Sequence, residues 1–169
     1  MTPDQIEAGK IISLNLQAAL KEKGLPQKAL PFLMLQSAVE SAGYTSKVYR
    51  TDNNVTGIKY SQNGYGSVGT KSPEGDNYAH YDSLKSWAKD FIRILNRDGA
   101  LAANSIDEYA AILKKGGYFG ATLDEYKIAL HSWVASFRKW LPMSFGADAQ
   151  QLTLFAVIVL LLTIITYLQ

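Results

Sequence analysis

From Leu152 to Leu168 the chain reads LTLFAVIVLLLTIITYL, a run of seventeen residues without a charge, a glycine or a proline. At about 1.5 Å per residue, a helix of this length covers roughly 25 Å, the short end of what crosses a hydrocarbon core. Val, Ile and Leu fall on every side with no polar stripe to face water, so the run needs either lipid or a protein interior. It predicts one C-terminal transmembrane helix over 151–169, preceded by a short linker over 141–150, with a buried core helix as the alternative. Trp133, Trp140 and Tyr167 bracket it in the manner of interfacial aromatics, and Arg138 and Lys139 lie on its N-terminal side. Residues 1–140 are left as the folded domain. The opening MTPDQIEAGK has no basic-then-apolar leader; Thr2, Pro3 and Gln5 read as a helix cap, a first-turn proline and the third member of a capping box. By the positive-inside tendency such a domain stays in the cytoplasm, or in a compartment that buds from it.

A chain of 169 residues, 47% apolar and 19% charged, can build one domain with a substantial core. Collagen-like, disordered and disulfide-knotted classes are excluded. With no cysteine and only His80 and His131, no thiolate or His-rich metal site is expected, and both histidines read as surface or packing residues. No cofactor is implied. Every Lys and Arg lies at or before Lys139 and Asp148 is the only later charge, so taking that acid out of the net +2 leaves +3 on the first 147 residues. That excess suits an anionic surface but falls short of a nucleic-acid footprint, so no nucleic-acid partner is expected.

Along the domain, helical patterning runs from about Pro3 to Lys23, with Ile6, Ile12, Leu16 and Ala19 on the inner face, and from Pro31 to Ala42. Residues 43–81 break the pattern: six tyrosines among repeated Gly, Asn and Ser suggest loops and a small β-hairpin lobe. Helices return at Ser83–Asn96, at Ser105–Lys114 with Ser105 as cap and Glu108 closing a capping box, and at Leu123–Trp140. The expected class is α+β, mostly helical, with a tyrosine-rich insert where a cleft can form.

The second helix, PFLMLQSAVESAG, is apolar enough to be mostly buried, yet carries Glu40 near its C-terminal end. There the helix dipole disfavours a negative charge and partial burial disfavours it again, so both raise the carboxyl pKa. A carboxyl that keeps its proton near neutral pH is suited to general-acid work. The structural alternative puts Gln36 and Glu40, four apart, on one solvated stripe of an ordinary amphipathic helix.

The segments LQSAVESAGYTSK and NNVTGIK resemble the pattern Ala-Gln-x-x-x-Glu-Ser-Gly-x-x-x-Ser followed by Asn-Asn-x-Phe-Gly-Ile-Lys of the glycoside hydrolase family 73 glucosaminidases. The match places Gln36, Glu40, Ser41, Ser46, Asn53, Asn54, Gly57, Ile58 and Lys59 on that pattern. It continues through GTKSPEGDNYAHYDSLKSWAKDF, similar to the family's hairpin and its Tyr-Asp-Ser helix start at Tyr81, Asp82 and Ser83, and through GGYFGATLDEYKIAL, with Tyr118 and Tyr126 as the matched tyrosines. Three departures stand out: Val55-Thr56 replaces Leu-Phe, Ala42-Gly43-Tyr44 replaces Gly-Trp-Gly, leaving Tyr44 as the substitute aromatic beside Glu40, and the segment around Tyr118 lacks the family's proline, so a differently shaped loop is expected there.

The resemblance implies a lysozyme-like domain cleaving β-1,4 links of peptidoglycan glycan strands, with Glu40 as the acid. A second carboxylate would come from the hairpin, with Glu74 preferred over Asp76; the structural alternative for both is a solvated turn. Tyr118 would position the N-acetyl group or the developing charge. Tyr44, Asn54, Tyr78 and Tyr81 are the substrate-contact candidates, with core packing as the alternative for the tyrosines and loop bracing for Asn54. A second carboxylate about 6.5–9.5 Å from the acid would activate water with inversion; otherwise the substrate's own N-acetyl group attacks. A lytic transglycosylase or muramidase is the mechanistic neighbour, and a non-catalytic wall-binding or virion-assembly membrane protein is the alternative from another class. Because peptidoglycan lies outside the cytoplasmic membrane, an inward-facing tethered hydrolase fits the internal membrane of a bacteriophage virion, with virion proteins and a lipid bilayer as partners. The alternative is a bacterial inner membrane with the domain facing the periplasm among envelope proteins.

Overall fold

Thr2 opens the first helix as expected: its hydroxyl accepts from the Gln5 N–H and the Gln5 side chain accepts from the Thr2 N–H, closing a capping box ahead of α1 (Pro3–Glu22). Ile12, Leu16, Ala19 and Leu20 form its buried stripe, while Ile6 is only half-buried. The computed structural model describes residues 1–141. The expected membrane helix over 151–169, and the linker beyond its first residue, lie outside the described residues. Among the described residues, no helix is long and apolar enough to cross a membrane.

After a 3-10 turn at Gln27–Ala29, α2 (Leu30–Glu40) runs through the middle of the domain. Each residue from Leu30 to Ala38 is buried, and only Val39 and Glu40 reach partial exposure. Gln36 is among the buried residues and its side-chain oxygen accepts from the Tyr109 hydroxyl. The solvated Gln36–Glu40 stripe is therefore absent. Around α2 pack α1 and α6 (Leu123–Arg138). α4 (Leu84–Arg97) lies on α1, and α5 (Ile106–Lys115) lies on α6. Side-chain oxygens of Ser83, Ser105 and Thr122 cap α4, α5 and α6. Glu108 does not close a box on Ser105; its carboxylate accepts from the Asn104 N–H instead. Trp133 and Trp140, expected as interfacial aromatics, pack on the domain itself. The Trp140 ring faces Gly9 and lies 5.3 Å from the Phe137 ring, and Trp133 lies over Gly43.

The insert holds one more helix than its composition suggested, α3 (Lys47–Asp52), capped by Ser46. It is short and would not persist alone. The hairpin stabilises it: strands β1 (Ser67–Lys71) and β2 (Asn77–His80) pair antiparallel with an irregular register between Val68 and Lys71. The buried Asp52 carboxylate accepts from Thr70 Oγ1 at 2.6 Å and from the Thr70 N–H at 3.3 Å, and lies 3.2 Å from His80 Nδ1. On the other side of β2, the Ala79 N–H donates to Ile58 O and the Tyr60 N–H to Asn77 O. The result is a mostly helical lysozyme-like fold with a small two-stranded lobe, as expected from the sequence.

Asn54 ties the two lobes at a single buried point. Its amide nitrogen donates to Ile58 O at 2.8 Å and Ala79 O at 2.9 Å, and its oxygen accepts from the Ile58 N–H at 2.9 Å. Asn54→Ala removes the acceptor of the Ile58 N–H and a donor to Ala79 O, while Ile58 O keeps the Ala79 N–H, and is expected to cost about 1–3 kcal/mol in urea unfolding. A loss below about 0.5 kcal/mol, the level of a neutral surface change, contradicts this role.

Candidate active site

Glu40 is the last residue of α2, so its carboxyl sits where four helix carbonyls lack intrahelical partners. The chain then turns sharply through Ala42, Gly43 and Tyr44, all with positive φ (50°, 68° and 68°). For Ala42 and Tyr44 such angles cost roughly 1–3 kcal/mol each, so the surroundings must hold them. Ser41 does so: its hydroxyl donates to Ser37 O and accepts from the Tyr44 N–H at 2.9 Å. Gly43 is required twice over, because a Cβ there would lie 2.5 Å from the Trp133 ring as well as carrying a left-handed φ.

Glu40 faces a pocket of about 580 Å³, within the range of about 300–1,000 Å³ usual for ligand sites. Thr56, Gly57, Ile58 and Lys59 from the segment after α3, Asp90, Arg93, Ile94 and Arg97 from α4, and Tyr118 from the loop after α5 also line it. The Tyr126 hydroxyl, projecting from α6, donates to Glu40 Oε1 at 2.9 Å. The Phe119 ring stacks on Tyr126 with centroids 3.8 Å apart, and Lys114 braces this loop by donating to Ala121 O at 2.6 Å. Burial pushes the Glu40 carboxyl above the usual range, and the Tyr126 hydrogen bond only partly opposes that. Burial and the Glu40 charge together raise the Tyr118 and Tyr126 hydroxyls, so both stay protonated. With Oε1 held by Tyr126, Oε2 is the oxygen available to carry the acid's proton. Among the described residues no group of His, Cys, Asp or Glu could hold a metal ion.

The two expected hairpin carboxylates are not brought to this pocket. Lys59 Nζ holds Glu74 at 2.8 Å and lies 3.8 Å from Asp76. Lys59, Ser72 and the backbone lower the Glu74 carboxyl to about 2. Both acids are exposed, and Asp76 lines a separate cavity of about 490 Å³ with Lys59 and Tyr60. As placed here Glu74 is a weak base, because a lysine is stabilising its charge.

Three of the four expected sugar contacts are buried in this structure. The Tyr44 hydroxyl pairs with Ser37 at 3.2 Å inside the domain, Tyr81 donates to Asp90 at 2.9 Å, and Asn54 is spent on backbone. None presents a free ring face or amide to a ligand. Tyr78 alone stays half-buried, its ring 4.7 Å below Lys59 Nζ and its edge facing Gly57 at the pocket.

Sequence reasoning passed over Thr56, Asp90, Arg93, Ile94 and Arg97 as pocket residues, and left Tyr126 as a matched tyrosine without a role. Asp90 carried a readable signal, an acid on the same face as Trp87 and Phe91. Thr56 did not; its hydroxyl matters because the Trp87 indole N–H donates to it at 3.1 Å.

Holding a proton at Glu40 has a cost away from acid pH. In the unfolded chain Glu40 ionises at its ordinary value of 4.5, whereas the folded protein resists ionisation. Stability is therefore lost as pH rises from that value through the raised folded one. Glu40→Gln is expected to melt above the parent at about pH 7, with the gap closing toward about pH 4. Calorimetry across that window checks it, and equal melting temperatures at both ends contradict it.

Residues 15–139 match the family described as Glucosaminidase, mannosyl-glycoprotein endo-beta-N-acetylglucosaminidase. Among solved structures, the catalytic domain of the autolysin Auto from Listeria monocytogenes is similar with a TM-score of 0.61 at 21% identity, covering 82% of this chain and 86% of that one. The C-terminally truncated glycoside hydrolase domain of FlgJ from Salmonella typhimurium gives 0.55 at 21% identity, covering 76% and 93%. A peptidoglycan hydrolase from Sphingomonas sp. A1 gives 0.52 at 21% identity, covering 69% and 81%. No curated protein matches the chain. With a family match that runs from within α1 to the end of α6 and takes in Glu40, Tyr118 and Tyr126, the chain belongs to the glucosaminidase family of glycoside hydrolases.

Proposed function

We propose that the protein hydrolyses β-1,4 links in peptidoglycan glycan strands as an endo-β-N-acetylglucosaminidase, with Glu40 as the general acid. The reading rests on one observation above the others: a carboxyl with raised pKa, held by Tyr126, at an open pocket. Likeness to an autolysin and to a peptidoglycan hydrolase supports the substrate. Glu40 gives its proton to the leaving glycosidic oxygen as the bond to the anomeric carbon breaks. Asp90 is engaged by Arg93 and Tyr81, and Glu74 by Lys59. The nucleophile this pocket leaves is the carbonyl oxygen of the substrate's own N-acetyl group, attacking the anomeric carbon with Tyr118 alongside. Water then opens the cyclic intermediate, giving its proton to the Glu40 carboxylate and leaving a reducing end with retained configuration.

The run Leu152–Leu168 supports tethering of this domain to a bilayer, with the internal membrane of a bacteriophage virion as its place and wall penetration as its use. Virions whose proteins show no muralytic band at the mass of this chain contradict that location.

Glu40→Gln keeps shape but removes the proton donor, and is expected to lower turnover on purified sacculi by at least about a hundredfold. Mass spectrometry of the parent's fragments should show reducing N-acetylglucosamine ends. Anhydro-muramyl ends identify a transglycosylase, reducing muramyl ends a muramidase, and no fragments a binding module. NMR of the nascent ends should show retention; inversion instead requires the hairpin to carry Glu74 or Asp76 to the pocket.

Activity should fall on the alkaline side as Glu40 loses its proton. The Tyr126 hydrogen bond favours the ionised form, so Tyr126→Phe is expected to move that limb of the kcat profile to higher pH while lowering kcat. A limb that stays or moves to lower pH contradicts this role.

A further inference from the structure

One end of the Glu40 pocket is built for something a neutral sugar does not need. Arg93 and Arg97 stand one helical turn apart on α4 with Ile94 between them, and all three line the same pocket as Glu40. Arg93 is held from behind by a buried acid, whereas the more exposed Arg97 pairs with its chain neighbour. Arg93 Nε and Nη2 lie 2.7 and 2.6 Å from Asp90 Oδ1. Asp90 is itself 1% exposed and also accepts from the Tyr81 hydroxyl and from the Tyr65 N–H at 3.3 Å. Arg97 Nε and Nη2 meet the two oxygens of Asp98 at 3.0 and 3.3 Å. A guanidinium carries five N–H donors, and these pairings use only part of each fork.

Two oriented guanidinium groups on one wall match oxyanions, since Arg binds carboxylates through parallel N–H donors. The aminosugar backbone of a glycan strand is uncharged. Its negative groups are the carboxylates of the peptide stems, carried on alternate sugars and so adjacent to any cleaved linkage. Resting on the peptidoglycan reading above, we infer that Arg93 and Arg97 form a subsite for peptide-stem carboxylates, making the enzyme select strands whose stems carry free carboxylates over strands whose stem carboxylates are masked. Asp90 and Asp98 are positioning residues for it, and Ile94 gives the stem an apolar surface between the two charges.

The test compares kcat/KM on soluble strands from phosphate-free sacculi with kcat/KM on the same strands after carbodiimide and ammonia have converted their stem carboxylates to amides, which removes the charge without freeing the lactyl carboxyl of the muramyl sugars. The parent is expected to favour strands with free stem carboxylates. In Arg97→Ala the ratio of the two values should fall about tenfold, the size of a lost charged hydrogen-bonding partner, with the change carried in KM. Arg93→Lys keeps a cation against the buried Asp90 while removing the fork, and should lower the ratio in the same direction. Because the readout is a ratio within one variant, a partly unfolded preparation does not mimic it. A parent ratio near one, or ratios unchanged in both variants, overturns the subsite while leaving the hydrolase reading intact. A parent that digests neither substrate overturns the hydrolase reading, and the subsite falls with it.

Discussion

Burial of α2 along nearly its whole length governs the rest of this structure. A helix whose residues from Leu30 to Ala38 are all inside has no solvated face, so the first position at which a charge can reach water is its C-terminal end. Glu40 occupies that position. Its carboxyl is close enough to the core to be desolvated and close enough to the surface to meet a ligand, and the negative end of the helix dipole stands beside it in place of a cation. The raised pKa is thus a consequence of where a greasy helix stops.

The neighbouring elements act on that carboxyl in turn. Tyr126 reaches it from α6 and is held by the Phe119 ring, while Lys114 fixes the loop that carries Phe119 and Tyr118. Across the pocket, the segment 56–59 is positioned by Asn54 and by the edge of β2. The left-handed turn after Glu40 and the desolvated carboxyl both oppose folding, and the closely packed aromatics around α2 offset them. Local strain and desolvation offset by packing elsewhere is a balance common in enzymes.

Much of this was legible along the chain because the signals are local. The capping residues at Thr2 and Ser105, the proline at the start of α1 and the apolar periodicity of five helices depend on neighbours within one or two turns. The helix α3 was not legible: Val48, Tyr49 and Thr51 are poor helix formers in so short a segment, and its hold on the hairpin comes through Asp52, whose partners lie 18 and 28 residues away. The tyrosines show the same divide. A motif could bring Tyr44, Tyr78, Tyr81, Tyr118 and Tyr126 forward as a group, but whether a ring faces a core or a pocket depends on what packs against it from elsewhere.

The sequence by itself determined the helical framework and the hairpin lobe, which follow from periodicity and caps, and it brought Glu40 forward as the candidate acid through a carboxyl misplaced on an apolar helix and a family resemblance. Only the tertiary structure decided which groups stand around that acid. Glu74 and Asp76 are drawn to Lys59, Tyr81 is turned onto Asp90, Tyr126 reaches Glu40 from α6, and Arg93 and Arg97 line its pocket from α4. Electrostatic and hydrogen-bonding partners are chosen by distance in space, and the residues that meet here are separated by up to 86 positions along the chain.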